Sequence, residues 1–147
     1  MIWIVFLEFL LAMTPNAPVA LEYVHVALGF VIVGLAYYDF NGLRQTAVPA
    51  RVKRIAKSTL QLSVVMGILG FLLFFNFGAA WTIVFGVTVW GLILFIHVVN
   101  AFAIITQAAA VAIAYDMWED KEFAKETAPG EVPAMPVPKK SDASPKP

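Results

Sequence analysis

The sequence predicts an all-α, polytopic membrane bundle of three to four transmembrane helices, followed by a disordered C-terminal tail. Three observations predict it. Of 147 residues, 61% are hydrophobic and 14% charged, against about 45–50% and about 25% in a soluble domain. Mean hydropathy is +0.80. From Ser58 to Tyr115 there is no Asp, Glu, Lys or Arg, a run of 58 residues, whereas one bilayer crossing takes only about 20. Ten basic residues balance ten acidic ones, so no face can neutralise a phosphate backbone and nucleic-acid binding is excluded. Without cysteine there is no disulfide, thiolate metal site, iron–sulfur cluster or covalent haem attachment.

Met1–Met13 is apolar but short, reaching about two thirds of a hydrocarbon core about 30 Å thick. It lacks the basic start and small-residue cleavage site of a signal peptide and is read as retained, either as a short span over about 2–13 or as an interfacial segment. Thr14-Pro15-Asn16-Ala17-Pro18 breaks the chain. The second span covers about 20–38, ending in the belt aromatics Tyr37 and Tyr38 and the stop Asp39-Phe40-Asn41-Gly42. A basic loop over 41–57 carries Arg44, Arg51, Lys53, Arg54 and Lys57, which the positive-inside rule places in the cytoplasm and which fits a plasma (inner) membrane location. The third span runs over about 58–77 and closes at Asn76-Phe77-Gly78. Trp81 to Trp118 would make one helix of about 57 Å. Residues 79–92 are therefore read as an outer connector, with an interfacial helix anchored by Trp81 and Trp90 as one form of it, and the crossing lies over about 93–118. Asp116–Lys121 marks its cytoplasmic exit. The tail, 119–147, is rich in Pro, Lys, Glu and Ser and cannot bury enough surface to fold alone.

Ionisable groups at membrane depth are costly, and each is a functional candidate. His25 and His97 are the chain's two histidines, one near the outer end of each of two non-adjacent spans. Neutral imidazoles at similar depth on two helices are a pattern for bis-histidine b-haem ligation; cross-helix packing or another metal are the alternatives. Gly29 and Ala101 lie four residues after the two histidines and leave room for a flat macrocycle. The depths are uneven: His25 is 14 residues from Asp39, and His97 is 19 from Asp116, a mismatch of roughly 7 Å before tilt. Glu22, one turn before His25, shares its face and is the candidate catalytic or proton-relaying carboxylate. Glu8 reads as an interface or partner contact. Asn100, Gln61, Thr106 and Gln107 read as bonds between helices.

Glu22-Tyr23-Val24-His25 at the start of one span, Leu60-Gln61 to Gly67 in the next and Ile96-His97-Val98 at the start of the last resemble one four-helix half of the heme A synthase family. The resemblance covers roughly residues 20–115. It implies His25 and His97 as axial ligands of haem b and Glu22 as a catalytic carboxylate. Val26 stands where many members carry Arg, and the chain has one half and no outer-loop cysteine pair. The expected function is a b-haem membrane protein in electron transfer or heme-A-synthase-like oxidation, with the lipid bilayer and other membrane subunits as partners. The alternative is a non-catalytic accessory subunit of a respiratory, photosynthetic or monooxygenase complex. A transporter fits less well, since no inverted repeat is present.

Overall fold

Inside a bilayer every backbone polar group must be satisfied by the chain itself, which helices achieve segment by segment. The computed structural model describes residues 1–12, 14 and 18–127 and is helical almost throughout. Its four helices are α1 (Ile2–Ala12), α2 (Val19–Arg44), α3 (Ala50–Phe74) and α4 (Val89–Thr127). Among the described residues the sole extended feature is an isolated bridge between Thr82 and Thr88. Helices α2, α3 and α4 are each long and apolar enough to cross a membrane. At 11 residues, α1 reaches only about 16 Å, half a hydrocarbon core.

The helices form a closed ring: α1 packs on α2 and α4, α2 on α3, and α3 on α4. At one end the tight connection between α2 and α3 carries the basic residues; this is the basic end, and the α3–α4 connection lies at the far end. Leu43, Val48, Val52 and Ala56 form a buried cluster at the basic end, packed by Phe40, Val111, Tyr115 and Trp118. A second cluster, Val5, Ile32 and Ile104, lies in mid-bundle. The outward faces remain apolar, with Phe30, Ile68, Phe95, Phe102 and Ile113 all exposed, as lipid-facing surfaces require. Three side-chain bonds join α3 to α4, one of them from Trp90 Nε1 to the Leu73 carbonyl at 3.4 Å. Asn100 Nδ2 donates to the Leu62 carbonyl at 2.9 Å, and Thr59 Oγ1 donates to Gln107 Oε1 at 3.1 Å. Each is worth about 0.6–2 kcal/mol in a membrane. Thr106 bonds instead to Phe102 O in its own helix, and Gln61 is exposed, so neither is the interhelical bond expected of it.

Several boundaries differ from the sequence reading. The basic stretch 41–57 is largely helical, with only residues 45–49 between α2 and α3. Pro49 starts α3 in extended φ/ψ, and Lys53 Nζ reaches back to the Thr46 and Arg44 carbonyls at 2.8 and 3.3 Å, capping α2. Long cationic side chains carry their charge to water while their stems stay on the helix, so a run of basic residues need not be a loop. Helix α4 likewise continues through Asp116–Lys121 to Thr127, because Glu, Lys and Ala propagate a helix well. Residues 128–147 of the tail, with Met13 and 15–17 of the expected break, lie outside the described residues.

The α3–α4 connection is a turn and not an interfacial helix. Asn76 ends α3 with φ 53°; its N–H bonds Leu73 O and that of Phe77 bonds Leu72 O, which is a Schellman closure with Asn at C′. Val89 N–H to Trp81 O and Ile83 N–H to Val87 O then pinch a short hairpin. Its central residues Phe85 and Gly86 both have positive φ, 54° and 78°, the requirement of a type I′ turn.

Candidate histidine-lined site

His25 lies in the second turn of α2 and His97 in the third turn of α4. Both helices start at the far end and run toward the basic end, with α3 antiparallel between them. The two imidazoles come together: their ring centroids are 6.3 Å apart with 55° between the planes. The depth mismatch is removed by the true extent of α4. Fourteen positions separate His25 from Asp39 and fourteen separate His97 from Val111, and Val111 packs on the same cluster as Phe40. Asp116 lies a turn further along α4, so it was the wrong depth marker.

The pair lines a cavity of about 280 Å³, just under the range of small-molecule sites, about 300–1,000 Å³. Its walls are mostly apolar, with Met66, Phe71 and Phe74 from α3 and Leu94 from α4. Glycine on α3 allows the close approach: a Cβ on Gly70 would sit 3.4 Å from His97 Cε1. Ala101 is buried at the cavity wall, one turn below His97. Gly29 also lines the cavity, but the atom its missing Cβ would meet is Glu8 Oε1, at 3.8 Å. Gly29 thus borders that carboxylate at ordinary contact distance.

Glu8 is the residue whose place the sequence reading missed. It is buried, with 6% of its surface exposed, and its Oε2 lies 3.0 Å from His25 Nδ1. The two atoms are at ion-pair distance, although they are not aligned as a hydrogen bond. Glu22 lines the same cavity but is exposed; the carboxylate in contact with His25 comes from α1. The Nδ1 of His97 is buried with no hydrogen-bond partner.

Ring centres 6.3 Å apart are within reach of one metal ion bound at about 2.0–2.1 Å by a nitrogen of each ring. Among the described residues no cluster of three or more His, Cys, Asp or Glu has the arrangement of a metal site. Comparison with protein-family models, curated proteins and solved structures finds no match for this chain.

Proposed function

We propose that this multi-pass membrane protein binds haem b through His25 and His97 and serves electron transfer, or oxidation chemistry of the kind found in the heme A synthase family. The observation that carries the reading is the pair of imidazoles 6.3 Å apart on one apolar cavity. Three further features support it. The wall is apolar, which suits a macrocycle. Gly70 clears space beside His97. The seam between α2 and α3 is built from ring contacts, Phe30 on Phe71 at 5.8 Å and Tyr23 on Phe74 at 6.0 Å. Rings can turn outward to widen the cavity without stranding a polar group.

When bound, haem supplies one-electron redox chemistry. In this reading the chain's own residues would hold it at two nitrogens, keep water out with the aromatic wall, and offer Glu22, which lines the cavity and is exposed, as the proton-handling carboxylate. The basic end faces the cytoplasm in this reading and the membrane is the plasma membrane; five cations between Arg44 and Lys57 support that orientation. A reduced-minus-oxidised absorption spectrum of the purified protein tests the proposal. A b-type band is expected in the natural protein and its loss in both His25→Ala and His97→Ala; no band, or a band kept by both variants, overturns it.

A second reading has one observation of its own. Phe85 is fully exposed at the tip of the far-end hairpin, flanked by exposed Ile83, Val84 and Val87. Such a tip suits an accessory subunit that docks on a larger membrane complex. The same spectrum separates the two, since an accessory role predicts no band.

A further inference from the structure

A carboxylate buried in an apolar helix costs several kcal/mol unless it is paired, and the haem reading leaves Glu8 without a task. Its position gives it one. It is the charged residue of α1, it is buried, and its Oε2 lies 3.0 Å from His25 Nδ1. With Nδ1 given to the carboxylate, Nε2 is the His25 nitrogen left for a metal. Neither Nδ1 makes an aligned hydrogen bond, but among the described residues His25 is the one with a carboxylate at ion-pair distance.

We propose that Glu8 is a positioning residue that makes the two histidines unequal ligands. The inference rests on the haem reading above and deepens it. A carboxylate on the outer nitrogen of a ligating histidine fixes its tautomer and ring orientation and raises its basicity. A more basic, negatively supported ligand favours the more highly charged oxidised iron, so Glu8 holds the reduction potential down through His25 alone. The short α1, too short to cross the membrane, then has a definite purpose: it delivers one charge to one ring. Gly29 lies beside the same carboxylate, its missing Cβ position 3.8 Å from Glu8 Oε1, at ordinary contact distance.

The charge-removing Glu8→Gln keeps the size and shape of the side chain. Glu8→Asp keeps the charge and withdraws it by one methylene. Two readouts decide. The chain has two histidines, so histidine labelled with ¹⁵N in the haem-free protein gives two imidazole signal sets, assigned by the single alanine variants. Glu8→Gln is expected to move the His25 set and leave the His97 set in place, and Glu8→Asp to move the His25 set less. In the protein loaded with haemin, a redox titration is expected to show a higher midpoint for Glu8→Gln. At a fixed potential near the natural midpoint the reduced-to-oxidised ratio should rise about tenfold, equivalent to 59 mV for one electron. An unmoved His25 set, or an unmoved midpoint in a variant that still binds haemin, overturns the proposal. If the natural protein takes up no haemin, the haem reading falls together with the claim about potential, while the nitrogen signals still decide the pairing. A purely structural Glu8 would change folding or yield in both variants and leave the midpoint where it was.

Discussion

Gly70 shows how little room surrounds the histidines. A Cβ there would stand 3.4 Å from His97 Cε1, tighter than ordinary contact, and any branched side chain would land on the ring. Gly70→Leu is therefore expected to displace His97 and weaken haem binding by at least about tenfold, about 1.4 kcal/mol, in a haemin titration, with helical circular dichroism unchanged. Unaltered affinity would mean that His97 is not a ligand. The histidine pair was legible in the sequence because the chain has only two, each near the far end of a long apolar segment. Glu8 was not legible from α1 alone, where a single carboxylate in an apolar stretch reads equally well as a contact with a partner. What placed it was the packing of α1 on α2, which sets Glu8 beside His25 and which residue type alone does not reveal.

Helix ends carry the next layer. Apolar length located three spans, since hydropathy averages over a whole segment, but their boundaries depend on caps that composition hides. Lys53 bonding back to Thr46 and Arg44 turns what reads as a basic loop into two helix ends. At the far end the connection is fixed by backbone conformation. Gly78 has φ 71°, and a Cβ there would lie 2.6 Å from Val89, so Gly78→Ala meets both backbone strain and a clash. A loss of about 1–3 kcal/mol is expected, read as a lower melting temperature in detergent, with the α3–α4 hairpin the first part to open. A neutral result would mean that this turn is not held as described. The Asn76-Phe77-Gly78 closure of α3 was readable because Asn and Gly both accept positive φ. The I′ turn was not, because Phe85 occupies a place that Asn, Asp or Gly usually takes.

The whole molecule is a ring of four helices in which only three are long enough to cross. That architecture fixes topology. Three crossings put the α2–α3 turn and the α3–α4 hairpin on opposite faces of the membrane. The chain lacks cysteine, so single cysteines at Gln45 and at Phe85 report cleanly on each. Labelling of intact cells with an impermeant thiol reagent should modify Phe85→Cys and spare Gln45→Cys; equal labelling of both would contradict the three-span ring. The fold class followed from composition because a 58-residue stretch without charge admits few alternatives in water. The proposed function does not follow from composition, since it rests on two rings meeting across the bundle, and sequence records such a meeting only through helix depth. The most direct test of that meeting is the electron paramagnetic resonance spectrum of the oxidised, haemin-loaded protein. Ligation by both histidines predicts a low-spin ferric signal that turns high-spin when either His25 or His97 is replaced by alanine. A high-spin signal in the natural protein, or a low-spin signal that survives either replacement, would contradict the account.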